Sequence, residues 1–427
     1  MAKPILFVGV QLIVIVAIFL CGCTPQTPVP EQEIPTEQPS VSRSKLSYVI
    51  VDTAQVKCYD SSLQITCPQP REAFYGQDSQ YDGIQPAYQD NGDGTVTDLN
   101  TGLMWQKTPG DKVTYDEAIA GAERFNLAGY DDWRLPNIKE LYSLILFSGT
   151  DPSGPESIAK AVPFIDTDCF DFEYGDTSAG ERIIDAQYWS GTEYVTTTMN
   201  RNATVFGVNF ADGRIKGYPT DTGPWGQPMK EFVRYVRGNS DYGDNNLVDN
   251  GDGTIIDTAT GLMWSKSDSR KGMDWQSALA WVQQRNVENY LGYGDWRMPN
   301  AKELQSIVEY TRSPETTDSA AIDPVFNTTS ISNEGGMPDY PYYWTSTTHV
   351  NSTAGGGAAV YIAFGRGLGW MEMPPGSGNR QLLDVHGAGC QRSDPKIGDP
   401  AEFPYGHGPQ GDVIRICNYV RCVRDAG

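Results

Sequence analysis

The sequence predicts an α+β protein built from two tandem copies of one domain, and three observations support this. The stretch 90–107 (D-N-G-D-G-T-V-T-D-L-N-T-G-L-M-W-Q-K) returns at 249–266 with thirteen of eighteen positions identical. The phrase D-W-R-L-P-N-I-K-E-L at 132–141 returns at 295–304 as D-W-R-M-P-N-A-K-E-L. In each copy, two helix-like segments precede apolar stretches typical of antiparallel strands. The offsets of 159 and 163 residues are too long for a solenoid and suit globular domains.

Each predicted helix begins at a side chain that can accept hydrogen bonds from the first helical amides. These caps, with the acid three residues on where one is present, are Thr114 with Glu117, Asn137 with Glu140, Asp274, and Asn300 with Glu303. Strands are predicted at 49–51 and 56–58, at 188–190, 205–210 and 232–236, and at 343–345, 360–364 and 419–423. The repeated N-G-D-G predicts a tight hairpin turn.

Residues 1–23 predict a lipoprotein signal peptide. Lys3 supplies the positive charge, and the apolar run 5–20 is too short for a membrane-spanning helix. The run ends in L-C-G-C, which resembles a bacterial lipobox. That resemblance implies that Cys23 carries a lipid, which would anchor the chain to a membrane. Thr24 follows instead of Asp, which favours the outer membrane. An ordinary cleaved signal peptide is the alternative.

The remaining chain divides into a tether and two domains. Residues 24–45 hold five prolines among polar residues and predict a disordered tether. Residues 46–240 form the first predicted domain, with an N-terminal hairpin, and 241–427 the second. Cys58 and Cys67 flank a turn, and export to an oxidising compartment predicts a disulfide between them, with two free thiols as the alternative.

The chain is strongly acidic. It has 427 residues, 54 acidic against 32 basic, and a formal net charge of −22. Because contacts with phosphates require Lys and Arg, this charge argues against unaided binding of nucleic acid.

The repeated phrases resemble the C-terminal domain of the Legionella collagen-like adhesin. The motifs are D-N-G-D-G-T, G-L-M-W, D-W-R-[LM]-P-N-x-K-E-L, a Tyr-Trp pair and a closing Tyr-Val-Arg, and they cover about 75–424 twice over. The resemblance implies two tandem C-type-lectin-like domains and, for the best-known member, adhesion through glycosaminoglycan binding. The acidity of this chain does not suit a sulfated ligand, so the fold is expected to carry over better than that ligand.

The twin acidic turns raise the question of a calcium site. An EF-hand alignment with Gly94 at position 6 leaves Gln89 at position 1 and Asn100 at position 12, and the second copy offers Val248 and Ala259 there. The turns are therefore not EF-hands. Chelation in another geometry stays open beside a plain hairpin, with these candidate ligands: Asp90, Asp93, Asp98, Asp249, Asp252 and Asp257.

A long segment peculiar to the second copy, 366–412, is predicted to be a loop rich in Gly and Pro. Loops of this length are often functional. Its rings and hydrogen-bonding groups could hold a sugar, and otherwise the segment covers the sheet; the candidate ligand residues are Trp370, His386, Arg392, Asp394, Tyr405 and His407. A disulfide between Cys390 and Cys417 is expected to hold this segment in place. The pairing of Cys169 and Cys422 stays open.

Three functions follow from these patterns. The first is a non-catalytic surface lipoprotein, an adhesin that binds a carbohydrate or other envelope component, with no cofactor except a conceivable calcium ion. The second is an enzyme, metal-assisted or built on Cys390 with His386 or His407, and the third is a structural envelope protein. The sequence does not determine the oligomeric state. The tryptophans of the repeated phrases are predicted to be core residues, and Arg134 and Arg297 to brace the loop before the second helix.

Overall fold

The computed structural model describes residues 46–153, 160–199, 201–223, 226–374 and 376–427. All of them belong to one compact unit, Ser40–Gly427. The predicted signal peptide, Cys23 and the tether lie outside the described residues. No described helix is long and apolar enough to cross a membrane.

Short helices and mainly antiparallel strands alternate along the described chain, which confirms the α+β prediction. The N-terminal segment and first copy contain β1 (Cys58–Tyr59), β2 (Gln64–Ile65), β3 (Tyr88–Asp90), β4 (Thr95–Asp98), β5 (Met104–Gln106), α1 (Tyr115–Ala122), α2 (Ile138–Ser143), β6 (Gln187–Thr198), β7 (Asn202–Asn209), β8 (Arg214–Pro219) and β9 (Val236–Arg237). The second copy contains β10 (Leu247–Asp249), β11 (Thr254–Asp257), β12 (Leu262–Ser265), α3 (Trp275–Val287), α4 (Ala301–Ser306), β13 (Ile331–Ser332), β14 (Pro338–Asp339), β15 (Tyr342–Asn351), β16 (Gly355–Ala363), β17 (Leu368–Glu372), β18 (Arg380–Asp384), β19 (Gln391–Pro395) and β20 (Val423–Asp425).

The predicted caps begin all four of these helices. Thr114 accepts from the Glu117 amide at 3.3 Å, and Asp274 accepts from the Ser277 amide at 2.7 Å. The caps of α2 and α4 also form complete capping boxes. Local sequence alone therefore locates the helix starts, because each cap satisfies amides within its own first turn.

Each copy builds a small antiparallel sheet around its acidic turn. The strand orders are β3-β4-β5-β9 and β10-β11-β12-β20. The last strand of each copy pairs with the strand that holds the G-L-M-W tryptophan, so the ends of each copy meet in one sheet. The four tryptophans of the repeated phrases are buried, as predicted: Trp105, Trp133, Trp264 and Trp296.

A third, six-stranded sheet is shared by the two copies. Its order is β15-β16-β19-β8-β7-β6, antiparallel throughout. The first copy supplies three adjacent strands and the second copy the other three. The seam is narrow, because β19 and β8 are joined at the single pair Gln391 and Ile215.

The segment 366–412 is not the structureless loop that the sequence suggested. It contains the hairpin of β17 and β18 as well as β19, which lies in the interior of the shared sheet. The prediction failed because β19 (Q-R-S-D-P) has no apolar alternation. One oxygen of its buried carboxylate, Asp394, instead accepts three hydrogen bonds from the chain at 415–418.

The N-terminal segment packs on the second copy. The Phe74 and Trp275 rings pack with their centroids 6.4 Å apart. The ammonium of Lys302 donates to the backbone carbonyl of Asp52 at 2.9 Å. The predicted strand at 49–51 is wrong, since Val51 forms only an isolated bridge with Ile84. The predicted disulfide between Cys58 and Cys67 is present and closes the β1–β2 hairpin.

Candidate functional site

The polar residues of the repeated phrases hold the fold together. Arg134 binds both carboxylate oxygens of buried Glu140 at 2.6 Å, and Arg297 binds Glu303 at 2.6 Å. Each acid also closes the capping box of the second helix. The predicted bracing role of both arginines is confirmed, although the bound acid lies within the helix rather than next to the arginine in sequence.

The acidic turns use their carboxylates within the hairpins. Asp90 accepts from the Gly92 amide at 2.9 Å and from the ammonium of Lys107 at 2.6 Å, and Asp93 accepts from the Thr95 amide and hydroxyl. Asp98 accepts from two amides of the following turn. In the second copy, Asp249 and Asp252 repeat these contacts, whereas Asp257 accepts from the Ala259 amide and the Thr260 hydroxyl. Among the described residues, no three acidic, His or Cys side chains are grouped to hold a metal ion.

The predicted disulfide between Cys390 and Cys417 is absent, and both residues are free cysteines. Cys417 belongs to the chain that wraps around Asp394, whose carboxylate accepts from the amides of Arg415 and Ile416. Asp394 lies four residues beyond Cys390, near the far end of β19, so the fold brings Cys417 towards that end of the strand rather than to Cys390. Cys169 and Cys422, whose pairing the sequence left open, are also free.

The Cys–His pair considered for an enzyme has an unreactive thiol. Cys390 is buried, and burial raises the pKa of its thiol to about 12, so the thiol stays protonated at neutral pH. Burial, followed by the charge of Arg392, holds the pKa of His386 well below its usual value. The Nε2 atom of His386 contacts Asp412 at 2.8 Å, while His407 lies exposed on the surface.

The six predicted ligand residues divide into two groups. His386 and Arg392 both bind Asp412 at the seam of the shared sheet, and His407 pairs its backbone with that of Asp412. The other three lie at or beside a surface groove. Trp370 lines the groove, Tyr405 packs edge-on against Trp370 with ring centroids 6.0 Å apart, and Asp394 contacts the groove floor through Asn418.

The groove has a volume of about 550 Å³ and lies in the second copy. Four aromatic side chains line it together with prolines, aliphatic residues and a few polar groups. The lining residues used below are Glu334, Tyr342, Trp370, Phe403, Arg415, Asn418 and Tyr419. Sequence reasoning missed all of these but Trp370, although the aromatic and proline-rich run P-A-E-F-P-Y at 400–405 was a usable signal.

The charges inside the groove are already paired. The guanidinium of Arg415 lies 3.8 Å from the Tyr342 ring centroid and contacts Glu334 through two hydrogen bonds of 2.8 and 3.0 Å. Burial lowers the pKa of Arg415, but Tyr342 and Glu334 together outweigh burial and raise the pKa above its usual value, so the cation is retained and is paired with Glu334. The groove therefore presents aromatic surface without a free charge.

The described chain is thus a pair of α+β repeats that share a sheet, with a recessed aromatic groove in the second repeat. The chain belongs to the Lcl C-terminal domain family, whose family model matches residues 94–237 and 253–377, together more than half of the chain. This membership suggests an adhesin-like surface domain. No curated protein and no solved structure matches the chain. Groove residues from 400 onward lie outside the matched segments.

Proposed function

We propose that the protein is a non-catalytic surface lipoprotein that binds a carbohydrate or other envelope component through the groove of its second repeat. The observation that carries the proposal is the groove itself. Its volume of about 550 Å³ falls within the range of small-molecule sites, which are usually lined by aromatic groups with a few polar ones. Family membership supports an adhesin-like role at the cell surface.

The anchor and the tether complete the proposal. A lipid on Cys23 would hold the chain at the outer membrane, and the proline-rich stretch 24–45 would keep the folded part away from the bilayer. A C-type-lectin-like architecture, which the family resemblance implies, fits an adhesin. It is part of the proposal.

The two repeats have different roles in this proposal. Trp370 and Phe403 come from the segment 366–412, which has no counterpart in the first repeat. The first repeat contributes β6, β7 and β8 to the shared sheet and thereby supports the second. This groove would then give each chain one binding site for the ligand, and avidity would come from many chains on one membrane.

A glycan array probed with the full-length chain in detergent micelles, with and without calcium, tests the proposal. We expect binding to a limited set of glycans, and expect it to be lost when Trp370 is replaced by Ala. Signals no higher than those of empty micelles, together with no binding to isolated bacterial or host cell envelopes, would refute the binding function.

A further inference from the structure

We infer that the groove binds an uncharged saccharide without help from a metal ion, with the sugar stacked on Trp370. This inference rests on the proposed binding function and adds the chemistry of the ligand. It differs from the sulfated ligand implied by the family resemblance, because the groove offers no unpaired cation among its lining residues and is completed by residues from 400 onward, which the family match does not cover.

The aromatic walls suit a sugar ring. Trp370 is half-buried, its amide donates to the carbonyl of Gly411 at 2.8 Å, and Tyr405 holds its ring from the side. Arg380 in turn lies 4.6 Å from the Tyr405 ring centroid. An aromatic face is electronegative, and the C–H groups on one face of a pyranose are weakly positive, so the two surfaces attract. A pre-positioned ring also loses little entropy when a ligand stacks on it.

The charge pattern excludes ionic recognition. Among the described residues that line the groove, Arg415 is the only cation and Glu334 the only carboxylate. They bind each other, so a sulfate or carboxylate on the ligand would find no unpaired cation among these lining residues. A calcium ion requires six to eight oxygen ligands, usually including several carboxylates. One paired carboxylate cannot supply that set.

A buried oxygen at the floor of the groove, Asn418 Oδ1, has no hydrogen-bond donor among the described residues. Asn418 is 1% exposed, and its amide nitrogen donates to the Asp394 carboxylate at 3.0 Å. This contact sets the amide orientation and leaves the Oδ1 atom without a partner among the described residues. An unpaired buried acceptor destabilises the folded protein unless a donor reaches it. This oxygen is closed to solvent, so a sugar hydroxyl donates to it only once the side chains above it shift.

The unpaired Asn418 Oδ1 atom also favours a saccharide over a proline-rich peptide as the ligand. Aromatic grooves also bind polyproline segments. Proline has no backbone N–H and so cannot donate to Asn418 Oδ1. One N–H of the Asn418 amide is bound to Asp394, and the other could still donate to a ligand carbonyl, so the discrimination rests on the unpaired Oδ1 atom. The floor therefore matches hydroxyl groups better than a proline-rich chain.

The test is calorimetric titration of the full-length chain in micelles. The neutral probes are maltose, lactose and chitobiose, the acidic probe is a chondroitin sulfate disaccharide, and the peptide probe is a decaproline. We expect at least one neutral probe to bind, the acidic and peptide probes to bind at least tenfold more weakly, and affinity to be unchanged in EDTA. Trp370→Ala should weaken binding at least tenfold.

Two further variants keep the test decisive. Trp281→Ala removes a half-buried tryptophan from α3, outside the groove, and should leave affinity within twofold. Phe403→Ala changes another aromatic lining residue and replaces Trp370→Ala if that variant unfolds. Preferential binding of the acidic probe, of decaproline, or only with calcium would overturn the inference while leaving the binding function standing. Equal losses in the Trp281 and Trp370 variants would overturn the location. If no neutral probe binds, a neutral-glycan array decides, and its failure refutes the inference.

Discussion

The side-chain amide of Gln55 pairs with the backbone of Thr348 as a neighbouring strand would. Its nitrogen donates to the Thr348 carbonyl at 2.7 Å, and its oxygen accepts from the Thr348 amide at 2.8 Å. Thr348 lies where the pairing of β15 with β16 shifts register. The N-terminal segment thereby satisfies the backbone of the second repeat, 293 residues away in sequence.

Replacing Gln55 by Ala should lower the free energy of unfolding by about 2–4 kcal/mol, because two buried backbone groups lose their partner. Urea unfolding followed by tryptophan fluorescence measures the change. Gln69→Ala is the matched control, since Gln69 is exposed and its side chain makes no hydrogen bond recorded in the structure. Equal effects of both variants would show that the Gln55 contact does not stabilise the protein.

Thiol counting tests the cysteine assignments. The unreduced, denatured mature protein should show four reactive thiols among its described cysteines, because Cys58 and Cys67 are paired and the other four are free. A count of two thiols would show that a second disulfide exists, either between Cys390 and Cys417 or between another two of these cysteines. Replacing Cys58 and Cys67 by Ser should lower stability by about 2–4 kcal/mol, whereas Cys169→Ser should have a smaller effect.

Replacing Arg134 by Met should lower stability by about 3 kcal/mol. The change leaves Glu140 buried and without its cation, and breaking one side of such a pair is more costly than removing both. Arg182→Met is the control, because the Arg182 side chain is 58% exposed and exposed pairs contribute roughly 0–1 kcal/mol. Thermal and urea unfolding of the two variants should therefore differ clearly, and similar values would contradict the bracing role.

The buried carboxyl of Asp78 should make stability depend on pH. Burial raises its pKa to about 7, against about 3.9 in an unfolded chain. The folded state therefore holds this proton more tightly, and its stabilising contribution is complete below about pH 4 and is lost as the pH rises to 7. Asp78 accepts hydrogen bonds from Thr53 and Thr347, which link the N-terminal segment to β15.

The variant Asp78→Asn keeps these hydrogen bonds without the titration. Urea unfolding between pH 4 and 8 should show a smaller decline in stability with pH for the variant than for the unchanged protein. Asp384, whose pKa burial also raises to about 7, remains in both and contributes equally. If stability declined equally with pH in the variant and the unchanged protein, Asp78 would not be the titrating group.

Lipid attachment can be tested on living cells. Replacing Cys23 by Ser should abolish incorporation of an alkyne-labelled fatty acid and release the protein from the membrane fraction, because sulfur is the point of attachment. Cys21→Ser is the matched control, since Cys21 lies two residues earlier in the same segment. Labelling that persists in the Cys23 variant would refute the proposed anchor.

Local features of this protein could be predicted from its sequence. The duplication, the four helix starts, the acidic turns, the buried tryptophans and the disulfide of Cys58 with Cys67 depend on neighbouring residues or on apolar character. Capping boxes act within one turn of a helix, and Asn-Gly-Asp-Gly forms a hairpin by its own backbone preferences. Such signals are complete in a short stretch of chain.

Only the tertiary structure showed that polar β19 enters the shared sheet, that Gln55 supports the second repeat, and that Cys390 and Cys417 are kept apart. It also brought Trp370, Phe403 and Asn418 to one groove. These features depend on pairing between distant residues, and a buried polar strand is stabilised by partners that leave no periodic signal in its own sequence. The sequence determined the parts of each repeat, and long-range hydrogen bonding decided how the repeats join and where a ligand could bind.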